Sequence, residues 1–428
     1  MVISISLKTF FEALKKSEDW WTVWLGLSLF GFSLLGTITT VPKPNLWITN
    51  PFNSFSTDGF ISYLFLTIIL LILLSIAIKS IQSNLSTFIP AFFLFSMLGL
   101  VAQVISKQSF MATYGLEYVL WALIIGLLIS NTIGVPVFLK PAIRTELYIK
   151  IGLVLLGSEI LFSKILNLGI QGLLLAWGVT PLVLFVMYKY GTSVLKMDKT
   201  LTVLMAAATS VCGVSAAIAV AAATKAKKEF LTLTISISLL STVILLVGLP
   251  ALIRLVGIDY IVGGAWIGGT VDSTGAVVAA GELLGEQAME VATVIKLIQN
   301  VMIALIAFVI ALLWVTKIDR TSNDKPGLIQ IWYRFPKFIL GFVFLSILSS
   351  FVVLPLMGEM MLTGILKLTG SIRTFLFAIA FLSIGLETDF KTLKTQISGG
   401  KPVQLYVVGQ SLNLIITLIF AWILFGSW

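Results

Sequence analysis

Apolar runs long enough to cross a lipid bilayer recur from one end of this 428-residue chain to the other. A spanning helix needs roughly 20 predominantly apolar residues. Such runs are read at Trp21–Val41, Phe60–Ile78, Thr87–Ile105, Tyr114–Val135, Leu147–Phe162 and Leu168–Met187. They continue at Phe230–Leu252, Met289–Val315, Phe338–Leu354, Ile372–Leu386 and Val403–Phe425. The composition is 58% hydrophobic and 11% charged, against about 25% charged residues in soluble domains. A soluble core has no room for this much apolar surface, so lipid is the solvent and the fold is all-α and polytopic.

Two further apolar stretches are built differently. Leu201–Ala223 holds Thr209-Ser210-Val211-Cys212-Gly213-Val214-Ser215 at its centre, and Tyr260–Gly281 holds Gly268-Gly269-Thr270-Val271-Asp272-Ser273-Thr274-Gly275. A lipid-facing helix has no use for such a density of hydroxyls and glycines. A backbone that breaks at mid-membrane and lines a polar cavity does. If both stretches cross fully, Lys225, Lys227 and Lys228 fall on the outer side. If both enter and return as hairpins, that cluster moves to the inner side, as the positive-inside bias demands. Each arm is then about 12 Å long, which reaches the midplane of a core ~30 Å thick. The expected architecture is an inner-membrane protein of about 11 spans plus two re-entrant hairpins meeting tip to tip, with discontinuous crossing helices as the alternative.

An internal match supports an inverted repeat. Gly157-Ser158-Glu159-Ile160-Leu161-Phe162 and Gly385-Leu386-Glu387-Thr388-Asp389-Phe390 share Gly-x-Glu-x-x-Phe, each at the end of an apolar span. The chain is divided into an interfacial N-terminal helix at 1–19, additional spans at 20–113, and two repeats at 114–256 and 257–428. The single cysteine, Cys212, excludes an internal disulfide, and the absence of histidine excludes His-based catalysis and His-ligated metal. The net charge of +9 is scattered through loops, so nucleic acid is not a partner.

At the first tip, a break near Cys212-Gly213 exposes the backbone N–H groups of the arm starting around Ser215, which suits an anion. Thr209, Ser210 and Ser215 add hydroxyls. The bland alternative is close helix packing by small residues. At the second tip, Asp272 is an intramembrane carboxylate, costly unless used. It caps the arm beginning at Gly275, takes a proton or sodium ion, or pairs with a lysine. Gly269, Thr270, Ser273 and Thr274 surround it. Lys296 lies roughly 10 Å into the span that follows, with Gln299 and Asn300 on the same face. That polar stripe suits an anion or Asp272, or a structural pair with Asp272 or Glu290. Lys150 reads as snorkelling, and Cys212 as a small packing residue.

These stretches resemble the YeiH-type sulfate exporter family of bacterial membrane proteins. The resemblance is carried by Ala208-Thr209-Ser210-Val211-Cys212-Gly213-Val214-Ser215-Ala216, by Gly268-Gly269-Thr270-Val271-Asp272, by Val277–Gly281 and by Ala292-Thr293-Val294-Ile295-Lys296-Leu297. Ile149–Gly157 and Leu239-Leu240-Ser241-Thr242 look like further family blocks. The resemblance implies membership of the cation/proton antiporter and bile-acid symporter-like superfamily, built from inverted repeats with broken helices. Where family members often carry a histidine before the aspartate, this chain has Val271. Where they often carry an arginine four residues after the lysine, it has Asn300.

The expectation is therefore a secondary transporter, exporter or exchanger, of a small anion such as sulfate, a sulfonate or a carboxylate. Its solute is expected on Thr209, Ser210, Cys212, Gly213 and Ser215 of one tip and on Gly269, Thr270, Ser273 and Thr274 of the other, with Lys296 and Asn300. Asp272 is the expected site of a coupling sodium ion or proton. No cofactor, metal or enzymatic step is called for. The lipid bilayer is the expected environment, with a second copy in a homodimer and the N-terminus cytoplasmic. A sodium or proton antiporter using Asp272 is the alternative, and a channel or membrane receptor the alternative of another class.

Overall fold

A computed structural model describes residues 17–36, 43–55, 57–81, 84–113, 118–160, 162–314, 316, 332, 335–391 and 400–426. The chain is an all-α multi-pass membrane protein. Among the described residues there is no strand, and eight helical stretches are long and apolar enough to cross a membrane, one of which, Lys199–Thr224, is folded back on itself. The helices are α1 Glu18–Leu34, α2 Thr57–Ser80, α3 Leu85–Ser106, α4 Tyr118–Thr132 and α5 Thr145–Glu159. They continue as α6 Phe162–Lys189, α7 Lys199–Ala207, α8 Gly213–Thr224, α9 Lys228–Val256 and α10 Tyr260–Thr270. The last are α11 Thr274–Leu284, α12 Glu286–Leu313, α13 Phe338–Leu348, α14 Leu354–Glu387 and α15 Gly400–Phe425. The expected N-terminal interfacial helix lies outside the described residues up to residue 16, as does most of the loop between α12 and α13.

The chain forms two compact units. One is Met1–Phe162 with Lys337–Asp389, and the other is Ser163–Pro336 with Phe390–Trp428. Both are discontinuous in sequence, and each draws on both of the expected repeats.

In the first unit, α5 is the centre. Nearly every residue from Leu147 to Ser158 is buried, the pattern of a helix surrounded by protein rather than lipid. Gly341 of α13 lies against Val154, and Ser346 Oγ donates to the Ile160 carbonyl at 2.5 Å, so α13 runs parallel to α5. Arg373 of α14 meets Glu159, and Thr145 donates to Glu387 at 2.9 Å, so the end of α14 runs antiparallel to it. The reversal occurs at Gly358, whose φ of 78° interrupts an otherwise continuous helix. The two spans that the sequence suggests, Phe338–Leu354 and Ile372–Leu386, are both present and divided at Gly358. The second starts well before Ile372, because the Leu and Met residues after Gly358 are good helix formers. Lys150, expected to snorkel, is paired with Asp19 at 2.7 Å and Glu146 at 3.3 Å.

The second unit holds both broken stretches, and each is a re-entrant hairpin. Asp198 caps α7 by accepting from the Thr200 and Leu201 N–H groups. The helix widens into a π-turn at Ala208–Cys212 and breaks at Cys212 (φ −154°, ψ 81°) and Gly213 (φ 12°, ψ −100°). The return arm α8 lies back on α7. Val203 and Leu204 share one hydrophobic cluster with Val220 and Ala221, together with Ile310 and Trp314 near the end of α12. Asp259 caps α10 in the same way as Asp198 caps α7. Gly264 and Gly268 pack on the backbone of Ala288 and Ala292, so α10 runs alongside α12 in the same direction. Gly281 packs on Met289, and Gly263 lies against Leu284, so α11 returns beside α10. The hairpins thus approach from opposite ends of α12, and their tips meet at its middle.

Candidate functional site

The meeting point is assembled from backbone as much as from side chains. Both tips leave carbonyl groups unpaired where α7 and α10 end, and amide groups where α8 and α11 begin. Helix α12 answers the carbonyls. The Lys296 ammonium donates to the Val211 carbonyl of the first tip, to the Val271 carbonyl of the second at 2.8 Å, and to Gln299 Oε1 at 2.8 Å. Gln299 Nε2 donates to the Ser210 carbonyl at 2.9 Å, to the Gly269 carbonyl at 3.3 Å and to Thr180 of α6 at 3.1 Å. Helix α15 grips the tips from another side: Asn413 Nδ2 donates to the Thr209 carbonyl at 3.2 Å and Gln410 Nε2 to the Thr270 carbonyl at 3.1 Å.

The starting ends of α8 and α11 are treated differently. Neither Cys212 nor Ser273, their N-cap residues, makes a side-chain capping bond. Cys212 Sγ lies 3.5 Å from Thr274 Oγ1, so the two helix starts adjoin. Asn300 Nδ2 donates to the same Thr274 hydroxyl at 2.9 Å. Gly213 packs so closely that an added Cβ would lie 2.5 Å from Ser238 Oγ and 3.4 Å from Asp272 Cβ.

Asp272 is 1% exposed. Its Oδ2 accepts from Ser238 of α9 at 3.1 Å and from the Tyr406 hydroxyl of α15. Its Oδ1 is buried without a partner, as are Ser210 Oγ, Thr270 Oγ1, Asn300 Oδ1 and Gln410 Oε1. Buried polar atoms in proteins are almost always paired, so five orphans around one junction mark a place built for something besides packing.

Every residue expected to hold solute therefore lies on the two tips or on the face of α12 between them. Thr209 Oγ1 is turned back to its own helix at the Met205 carbonyl, 3.0 Å away. Ser215 and Ser273 are half-buried at the starts of α8 and α11. Lys296 pairs with neither Asp272 nor Glu290 in a salt bridge. All three of its ammonium hydrogens are taken by backbone and amide oxygens. Tyr406, Gln410, Asn413 and Thr417 were not expected at the site. Their spacing of four, three and four residues puts them on one helical face of an apolar span, which is the signal that marks them.

A family model described as conserved hypothetical protein 698 matches residues 90–405. A UPF0324 membrane protein of Rhodopirellula baltica is 49% identical over 387 residues, covering 90% of this chain and 71% of that protein. A UPF0324 membrane protein of Nitratidesulfovibrio vulgaris is 47% identical, covering 84% of this chain and 63% of that protein. The UPF0324 inner membrane protein YeiH of Escherichia coli is 25% identical over 82% of this chain and 96% of its own length. The chain thus spans only 63% to 71% of the first two relatives. No solved structure matches it.

Proposed function

The chain belongs to the UPF0324 membrane-protein family, described as conserved hypothetical protein 698, and on that premise we propose that it is a secondary active transporter of a small anion working by alternating access. The observation that carries this reading is the junction of two re-entrant tips at mid-helix, where two uncapped helix starts adjoin beside a buried carboxylate. Broken helices whose amide ends converge on one point are how membrane transporters hold anions without lining the path with cations. The solute would be held by the amides of α8 and α11, by the hydroxyls of Ser215, Ser273 and Thr274, and by Asn300. Lys296 would act by holding the tips in place. Asp272 would carry the coupling ion. The resemblance carried by the two tips supports sulfate, a sulfonate or a carboxylate as the solute class. The protein would sit in the bacterial inner membrane with its N-terminus cytoplasmic, and it would perform no covalent chemistry.

Proteoliposomes containing the full chain test this. Saturable counterflow of sulfate, methanesulfonate or acetate is the expected result. Conductance without saturation would instead identify a channel. A second reading, a sodium or proton antiporter, is favoured by the orphaned oxygens of Asp272, Thr270 and Gln410, which are acceptors. Sodium flux that is lost in Asp272→Asn while anion exchange survives would select it.

A further inference from the structure

We propose that Asp272 carries a proton on Oδ1 in this conformation, and that the solute anion and this proton bind together, so that the anion is moved with a proton in the same direction. The inference rests on the anion reading above and adds the coupled ion and the sign of the coupling.

The hydrogen bonds at Asp272 are lopsided. Oδ2 accepts both available donors, the hydroxyls of Ser238 and Tyr406, and Oδ1 accepts none although it is buried. An ionised carboxylate shares its charge between two oxygens, and each calls for donors. A bare, buried, charged oxygen is among the most expensive groups a protein can hold. A neutral carboxylic acid has the observed asymmetry: one oxygen accepts, and the other bears a hydrogen and donates. Gln410, one turn beyond Tyr406 on α15, holds the Thr270 backbone and leaves its own buried Oε1 without a donor.

The other charged and titratable groups facing this carboxyl give Oδ1 no hydrogen bond. From α12 comes Lys296, whose charge acts on Asp272 through space but whose three hydrogens go to Val211, Val271 and Gln299. From α15 comes Tyr406, which already donates to Oδ2. Ahead of α8 comes the Cys212 thiol, which meets Thr274. Helix α9 presents the hydroxyls of Ser238, which bonds the carboxyl, and of Ser241, which bonds Tyr406.

The link to the anion is positional. Gly213, the first residue of α8, sits directly against Asp272. An ionised Asp272 would place its own negative charge at the helix start proposed to hold the solute. The two anions would compete for one positive end. A protonated Asp272 removes the competitor, and a bound anion in turn favours the proton.

Isothermal titration calorimetry of the purified full chain with sulfate, methanesulfonate and acetate, in two buffers of different ionisation enthalpy, tests the coupling. On the alkaline limb, where the solute-free carboxyl has lost its proton, uptake should approach one proton per anion, and at lower pH, where Asp272 already holds it, uptake should fall to none. Affinity should weaken about tenfold per pH unit on the alkaline side, as linkage to one proton requires. Asp272→Asn should bind with no proton uptake and no such pH dependence. Tyr406→Phe is the second variant if Asp272→Asn does not fold. It removes a donor to the ionised form and should move the alkaline limb to higher pH. Anion binding with no proton uptake and no loss of affinity at any pH up to the alkaline limit, or binding that needs sodium instead, overturns the inference and leaves the anion reading standing. No binding by any probe removes the anion reading and the cotransport with it. An infrared band of a protonated carboxyl, lost in Asp272→Asn, would then still locate the proton.

Discussion

At the scale of single residues, Lys296 is the one whose role the structure redefines. A lysine deep in an apolar helix invites the idea of an anion ligand. Here it is a clasp: one ammonium joins the end of α7's turn to the end of α10. Lys296→Met would leave two buried carbonyls and an amide oxygen without donors, at about 1–3 kcal/mol each. The expected result is a clear fall in the unfolding midpoint of the solute-free protein. A variant with unchanged solute-free stability that loses only sulfate-induced stabilisation would make Lys296 a ligand instead. Gly213 gives a second case. In Gly213→Ala the new Cβ displaces Ser238 Oγ, 2.5 Å away, and Asp272 loses a donor worth about 1.5 kcal/mol. Counterflow should fall about tenfold. The double variant with Ser238→Ala should be no worse than Ser238→Ala alone, since the clash and the lost bond are one event. The tips were legible in sequence because hydroxyls, glycine and an aspartate stand out within apolar runs. Tyr406, Gln410 and Asn413 were not, because single polar residues on one face of a span look the same whether they pack against a neighbour or grip a backbone carbonyl.

At the scale of elements, the Gly-x-Glu-x-x-Phe copies do the same two jobs twice. Each glycine lets its helix touch another backbone: Gly157 lies against Phe342 of α13, and Gly385 against Gly126 of α4, with an added Cβ only 2.8 Å from either Cα. Each glutamate ties α5 and α14 at one end, Glu159 to Arg373 and Glu387 to Thr145. The Glu159–Arg373 pair is bidentate and mostly buried. Removing one partner of a buried pair strands the other charge, so Arg373→Met should destabilise the protein by about 3 kcal/mol. The doubly apolar Glu159→Leu/Arg373→Met should recover most of that loss, read as thermal midpoints in detergent. A match of six residues could suggest that two helices are related. It could not say that they lie antiparallel and hold each other's ends, because that depends on packing partners far away in sequence. The same limit hid the continuation of α14 beyond Gly358. A segment rich in Gly, Thr and Lys reads as a connection until a neighbour gives its apolar face somewhere to go.

At the scale of the whole molecule, the two motif copies fall at joints. The chain passes from the first compact unit to the second after Phe162 and again after Asp389, beside the two motif phenylalanines. The helices that follow, α6 and α15, both deliver polar side chains to the tips, Thr180 in one case and Gln410 and Asn413 in the other. The second unit therefore contains both hairpins and the described side chains that hydrogen-bond their tips, and alternating access would have to open this one junction to each face of the membrane in turn. The chain carries a built-in reporter of that opening, since Cys212 is its only cysteine and is 7% exposed at the junction. A membrane-impermeant maleimide can reach it only when a path is open from the side of addition. In sealed vesicles, labelling from either face should proceed slowly and to a single site, and saturating sulfate should slow it several-fold by occupying the space between Cys212 and Thr274. Mass spectrometry of the intact chain reads the outcome. Labelling from one face alone, at a rate no anion alters, would mean that the tips line a fixed pocket rather than a transport path.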